Sequence, residues 1–160
     1  MKIVFINNLY TPYAVGGAET VVEKRARDAV SKGNDVVLIT SAPWPGFAKA
    51  TPGKKFPWSP RKGVDGDIII YRFWVPNLCW YKDLSKHGFV FKLIWHFIDL
   101  LNFLSGRIIK DILEKENPDM VETHNLMGIG YDFGLQNKGL ETKWKHYLHD
   151  IQLVEPSGVL

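Results

Sequence analysis

An apolar run followed by a glycine pair at the entrance of a helical pattern most constrains the fold of this chain. Residues 2–8 form a short apolar run of strand length, and apolar residues then recur at three- and four-residue spacing from position 18 to position 30. Gly16 and Gly17 lie between the two patterns. Glycines there let a ligand approach the first-turn N–H groups, which carry the positive end of the helix dipole. The segment predicts a phosphate site or, alternatively, a tight strand–helix loop without a ligand.

A second buried strand is predicted directly after this helix. Gly33 and Asn34 mark the helix end, and residues 35–40 form a largely β-branched run. Because strand–helix–strand units cross over with a right hand, we expect an α/β fold, a Rossmann-like parallel sheet with helices on both faces. With 160 residues and 46% hydrophobic composition, residues 1–160 are expected to form a single globular domain.

Polar residues end the last two predicted strands, which cover residues 119–125 and 142–150. They are His124 with Asn125, and His149 with Asp150. The carboxyl ends of parallel strands meet at one edge of the sheet, where ligands of such folds bind. We therefore expect these side chains to converge with the glycine pair in one candidate site.

Segment 41–67 is rich in proline and glycine and predicts a long loop. Its five basic residues and two tryptophans are typical of a solvated loop or of a loop that touches an anionic membrane or a charged acceptor. Asp65 and Asp67 precede the next strand instead of following one, so they predict a turn and no metal site. The net charge of +3 is too small to indicate nucleic acid as a partner.

Residues 89–104 are the most apolar part of the chain. Four polar residues interrupt the run at helical spacing and form one narrow stripe: Lys92, His96, Asp99 and Asn102. The pattern predicts a helix whose wide apolar face is buried in the core, with contact to a membrane or a partner as the alternative. The run is shorter than the roughly 20 residues that a membrane span needs. Helical spacing continues to residue 116, with a bend predicted at Ser105 and Gly106.

Together these motifs resemble the N-terminal domain of retaining glycosyltransferases of family 4, also called group 1. The motif P-x-x-x-G-G-A-E opens the first helix, and D-V-x-x-I-T forms the second strand. N-P-D-x-V-x-x-H-N carries His124, and the last predicted strand ends in H-D. The resemblance covers residues 2–156.

The resemblance implies one half of a GT-B enzyme, in which two Rossmann-like domains face each other across a cleft. Gly16 and Gly17 would approach the diphosphate of a nucleotide-sugar donor. His149 would lie near the reacting sugar as a catalytic residue, with Asp150 beside it, and His124 and Asn125 would be acceptor-side residues. The nucleotide sugar is a co-substrate, so no cofactor and no metal are expected, and the acceptor would be a glycan or lipid-linked.

The family's C-terminal donor domain is absent from residues 1–160, so we expect an acceptor-side half that is inactive without a C-terminal GT-B partner. The single Cys79 and the lack of a signal-peptide pattern favour the cytoplasm. Lipid contact through the apolar helix would place the chain at the inner membrane face. The alternative function is a noncatalytic Rossmann-like module that binds a phosphate ligand or a protein.

Overall fold

A six-stranded sheet organises the part of the chain that the computed structural model describes, residues 1–14, 16–43, 59–130 and 142–149. The strands are β1 (Lys2–Ile6), β2 (Asp35–Ser41), β3 (Arg61–Asp65), β4 (Ile68–Phe73), β5 (Met120–Thr123) and β6 (Lys143–His146). They lie in the order β3-β4-β2-β1-β5-β6, and every neighbouring pair is parallel except β3 and β4. The predicted Rossmann-like α/β sheet is confirmed.

Helices cover both faces of this sheet, as predicted. They are α1 (Gly17–Ser31), a 3-10 helix (Tyr81–Lys86), α2 (Phe89–Leu100) and α3 (Phe103–Glu116). One face packs on α1 through Val22 and Ala26, and the other packs on α3 through Ile109, Ile112 and Leu113. Each fully buried branched side chain of this kind stabilises the fold by roughly 1.5–3 kcal/mol.

Strand β3 is a correction, because it lies in the segment that was predicted to be loop. Its residues are exposed or half-buried, so the sequence has no apolar run to indicate a strand. The predicted turn after Asp65 is present, with Gly66 at φ +59, and Asp65 accepts hydrogen bonds from Tyr10 and Arg27. Residues 44–58 of the predicted loop lie outside the described residues.

The helical stretch after residue 88 breaks earlier than predicted. Helix α2 ends at Leu100, and α3 begins at Phe103, so the bend predicted at Ser105 is wrong. The Asn102 side chain accepts the Ser105 backbone N–H at 3.1 Å and thereby caps the start of α3. A capping side chain allows a new helix to begin in a different direction. The spacing of apolar residues does not reveal where such a break occurs.

Helix α2 contradicts the predicted burial of its apolar face. Its inner face carries Trp95 and Asp99, both at most 1% exposed. Large apolar side chains of α2 and of the start of α3 form an exposed surface, here called the apolar face: Phe89, Val90, Leu93, Ile94, Phe97, Leu100, Leu101, Phe103 and Leu104. By length and composition alone, Phe89–Glu116 is apolar enough to cross a membrane. Helix α3 instead packs against the sheet, so the stretch is part of the domain.

The last strand is shorter than predicted. Strand β6 ends at His146, and His149 follows it in a short connection. Asp150, which was predicted to end this strand, lies outside the described residues.

Candidate functional site

Adjacent parallel strands bring His124 and His149 to the same edge of the sheet. Strand β5 lies between β1 and β6, and His124 and His149 follow β5 and β6 respectively. Backbone hydrogen bonds extend the pairing past the strand ends: His124 donates to Ile6 at 2.9 Å, and Tyr147 donates to Thr123 at 2.8 Å. The predicted convergence of the two histidines is therefore a product of strand order and register.

His124 and His149 contact each other directly. His124 Nδ1 lies 2.7 Å from His149 Nε2, and the two rings stack with centroids 5.0 Å apart. The His124 side chain is 1% exposed, and Tyr147 stacks on it with ring centroids 5.2 Å apart. Burial, followed by the nearby His149, Arg25 and His146, lowers the pKa of His124 to about 3. His124 is therefore neutral at physiological pH.

The contact between the two rings assigns the protons. A hydrogen bond between two neutral imidazoles needs one N–H and one lone pair. His124 Nε2 is buried and has no hydrogen-bond partner among the described residues. A buried orphan N–H is less tolerable than a buried orphan acceptor, so the proton of His124 belongs on Nδ1 and is donated to His149. His149 Nε2 is then the acceptor of this bond, which leaves Nδ1 as the position of the N–H in a neutral His149 ring.

An ion pair between Arg25 and Glu122 supports the histidine pair, and the sequence did not predict it. Arg25 of α1 donates to the buried Glu122 carboxylate at 2.7 Å and to the Tyr147 hydroxyl at 2.8 Å. Its guanidinium lies 4.2 Å from the centroid of the Tyr147 ring. Arg25 thereby fixes the Tyr147 ring, which stacks on the His124 ring. A carboxylate inside the apolar strand β5 was the available signal, since a buried charge requires a partner.

Asn125 contributes to the loop through its backbone and its side chain. Its N–H donates to Asn7 Oδ1 at 3.1 Å, and its carbonyl accepts from the Asn8 N–H at 2.9 Å. Its side-chain oxygen accepts the Met127 N–H at 3.3 Å. These bonds tie the loop after β5 to the loop after β1, so Asn125 has a structural task whatever its role toward an acceptor.

The glycine pair begins α1 at the carboxyl end of β1, next to β5. The Gly16 N–H donates to the carboxylate of Glu19 at 2.8 Å, so this amide already has an anionic partner. A Cβ on Gly16 would lie 3.3 Å from the same carboxylate, whereas a Cβ on Gly17 would meet no atom of the described residues within 4 Å. The described part of the chain therefore leaves space for a ligand at Gly17.

The loop after β5 is fastened to the inner face of α2. Asp99 Oδ2 accepts the Gly128 N–H at 2.9 Å, and burial raises the pKa of Asp99 to about 6. Gly128 and Gly130 have φ values of +82 and +95. Added Cβ atoms would lie 2.7 Å from Tyr81 Cβ and 2.9 Å from Asn102 Cβ. Both positions therefore require glycine, through backbone conformation and through space.

Comparison with known proteins gives one sequence relative. No family model matches this chain. An uncharacterized 42.6 kDa protein in the cps region of Klebsiella pneumoniae is 30% identical over 159 residues. The match covers 98% of this chain and 39% of that relative, so the chain spans well under half of its length.

Solved structures identify the fold. OtsA in its apo form aligns with a TM-score of 0.52 at 13% identity, covering 93% of this chain and 33% of OtsA. A structure described as trehalose-6-phosphate from E. coli bound with UDP-2-fluoro glucose aligns with a TM-score of 0.50 at 12% identity, covering 99% and 36%. At such identities the likeness shows the fold alone, which is a Rossmann-like half of the GT-B fold.

Proposed function

We propose that this chain is the acceptor-side half of a retaining family 4 glycosyltransferase, which transfers a sugar from a nucleotide sugar to an acceptor in glycan biosynthesis. The observation that carries the proposal is the contact between His124 and His149 at the carboxyl edge of the sheet. The likeness in fold to one half of a GT-B glycosyltransferase supports it.

In this proposal His149 contacts the donor, and His124 positions His149. The Nδ1–H of His149 donates a hydrogen bond to an oxygen of the donor sugar or of its leaving diphosphate. His124 stays neutral and fixes the tautomer and orientation of His149, as a second group commonly does for a functional histidine. The open N-terminus of α1 at Gly17 stabilises the negative charge that develops on the leaving diphosphate. The nucleotide sugar enters as a co-substrate.

The nucleotide would be bound mainly by a second, C-terminal GT-B domain. This chain spans 33% and 36% of the two GT-B structures and 39% of its sequence relative, which leaves room for such a domain in those proteins. Transfer is therefore expected only when both halves are present, and residues 1–160 alone are expected to bind a nucleotide sugar weakly.

A transfer assay with UDP-, GDP- and ADP-sugars tests this function. The chain is assayed alone and together with a C-terminal GT-B half encoded beside it. We expect turnover only with both halves, and a loss of about 10²–10³-fold in kcat for His149→Ala, typical of removing one donor that faces developing charge. His96→Ala, which removes an exposed histidine on α2, is the matched control and should leave kcat unchanged.

Two outcomes would contradict the transferase. Tight binding of nucleotide by residues 1–160 alone would favour the noncatalytic phosphate-binding module. Full activity in His149→Ala, with the two halves assembled, would remove the histidine pair from the chemistry.

We propose further that the apolar face lies on an anionic membrane at the cytoplasmic surface. The nine large apolar side chains defined above are each between 45% and 79% exposed. Between residues 81 and 110 there are five basic residues and two acidic ones, and one of the acidic residues, Asp99, is buried. Lys86 and Lys110 pair with Asp83 and Glu114, so Lys82, Lys92 and Arg107 carry the excess of positive charge. An exposed apolar surface on a segment with such an excess matches the chemistry of an anionic lipid interface.

Vesicle sedimentation tests this contact. We expect the chain to pellet with vesicles that contain phosphatidylglycerol and to pellet less with neutral phosphatidylcholine vesicles. The double variant Leu93→Ser, Phe97→Ser should remain in the supernatant, and the α1 variant Val21→Ser is the matched control, since Val21 is also an exposed apolar residue. Pelleting that is unchanged in the double variant would contradict lipid contact. So would loss of binding when the C-terminal half is added, because that half would then be covering the apolar face.

A further inference from the structure

A cavity of about 370 Å³ lies on the side of the β1 loop away from the histidine pair. It is formed where β2 and β4 end and β3 begins, since the antiparallel β3 starts at the edge where its neighbours finish. Of the described residues that line it, three are basic, three are aromatic and none is acidic. The cavity is therefore positively charged and has flat apolar walls.

Two arginines face each other across the wall of this cavity. Arg61 of β3 pairs directly with Arg72 of β4, so both side chains leave the same face of the sheet. Like charges directly opposite each other destabilise a strand pair. No carboxylate of the described residues lies within 4.0 Å of either guanidinium to offset that repulsion.

Arg72 is also incompletely paired. Its Nη2 donates to the Thr11 carbonyl at 2.6 Å, which fixes the direction of the side chain. Its Nε is buried and has no partner among the described residues. Gly63 lies two residues after Arg61 on the same face of β3, and a Cβ there would be 3.9 Å from Arg72 Nη1, so the guanidinium lies over a residue without a side chain. The arginine side chains therefore present more N–H donors than the described residues around them have acceptors for.

Guanidinium groups bind carboxylates and phosphates through paired N–H donors. Tyr13, Phe73 and Trp74 line the same cavity, and aromatic side chains with a few fixed polar groups are the usual lining of small-molecule sites. A ligand with an anionic group on a ring can bind the arginines through the anion and the aromatic residues through the ring. Free inorganic phosphate could bind only the arginines.

We propose that this cavity binds a sugar that carries a carboxylate or phosphate, through Arg61 and Arg72. Its assignment as the anionic part of the acceptor rests on the transferase function proposed above. The binding of an anionic sugar does not, because it requires only the two arginines and the aromatic wall.

Calorimetric titration of the chain with small probes tests the site. The probes are methyl glucuronide, glucose 6-phosphate, the neutral methyl glucoside and inorganic phosphate. We expect one of the two charged sugars to bind at least about tenfold more tightly than the neutral sugar and than inorganic phosphate, since a charge-assisted bond contributes this much. Preference for the glucuronide would identify a sugar acid, and preference for glucose 6-phosphate a sugar phosphate.

Two variants with the same change in charge give the decisive comparison. Arg61→Gln alters an exposed position of β3 and should weaken the charged sugar about tenfold or more. Lys24→Gln, on the exposed side of α1, should leave its affinity unchanged. Equal weakening by both variants, equal affinity for the neutral sugar or for inorganic phosphate, or no binding of either charged sugar would overturn the proposal.

This experiment separates the cavity from the transferase. His149→Ala should leave the affinity for the charged sugar unchanged, because the histidine pair lies on the other side of the β1 loop. Loss of transfer in His149→Ala with no binding of charged sugars would reject the cavity alone. Binding of a charged sugar without transfer would reject the transferase alone.

Discussion

Helices α1 and α2 treat their apolar residues in opposite ways. Helix α1 buries Val22 and Ala26 against the sheet and exposes Lys24, Arg27 and Asp28 to solvent. Helix α2 buries Asp99 and exposes Phe97, although its sequence is far more apolar. The spacing of apolar residues defines an apolar stripe on each helix. Whether this stripe faces the protein interior or the outside depends on the elements that pack around the helix. The exposed apolar side chains of α2 belong to the surface that we propose to lie on a membrane.

Trp95 and Phe97 give the largest contrast within α2. Trp95 is fully buried and its Nε1 donates to the Cys79 carbonyl at 2.9 Å, whereas Phe97 is 64% exposed. We expect Trp95→Ala to lower the free energy of unfolding by about 3–5 kcal/mol and Phe97→Ala by under about 0.5 kcal/mol. Urea unfolding followed by circular dichroism measures both. Similar losses in the two variants would mean that the apolar face is buried in solution.

Asp99 sharpens the comparison through pH. Because burial raises its pKa in the folded state, the folded chain holds this proton more tightly than the unfolded chain, and Asp99 lowers stability as pH rises through about 6. The stability of the wild type relative to Asp99→Asn should fall by about 2 kcal/mol from about pH 4 to about pH 7.5. Urea unfolding of both proteins across this range checks the sign.

His124 has the opposite pH dependence, because its lowered pKa makes stability rise as pH increases from about 3 to 6.5. Both proteins contain His124, so its contribution cancels in the difference between them. A difference that is flat with pH would place Asp99 in contact with water.

The smallest effect is expected on α1, where two adjacent valines differ in burial. Val22 is fully buried and Val21 is 42% exposed. Val22→Ala removes two buried carbons and should cost about 1.5 kcal/mol, whereas Val21→Ala should change stability by under about 0.5 kcal/mol. Thermal unfolding of the pair measures the difference. Equal losses would show that α1, like α2, has a covered outer face.

Sequence alone predicted the parts of the fold whose pattern matches their burial. The buried runs of β1 and β2 and the periodic helix α1 were confirmed, because the two strands are buried on both faces and the helix on one. Strand β3 was missed, since an edge strand with no buried run has no such pattern. The exposure of the apolar face of α2 was not predicted, because the spacing of apolar residues on a helix does not show whether that side is buried or exposed.

The candidate site could be predicted only in part. His124 and His149 end neighbouring strands, so topology was enough to bring them together. The ion pair of Arg25 with Glu122 joins residues 97 positions apart, and no local pattern encodes such a partner. The functions of all six predicted site residues stay predictions: Gly16, Gly17, His124, Asn125, His149 and Asp150. Asp150 lies outside the described residues.

The two glycines of the loop after β5 have a consequence for mutational scanning. Any side chain at Gly128 would overlap Tyr81, and any at Gly130 would overlap Asn102, on a backbone that already disfavours both substitutions. A library selected for activity would return glycine at both positions as strictly as at a catalytic residue. A scan that scored activity without abundance would then extend the apparent active site to two residues that must be glycine for conformational and steric reasons.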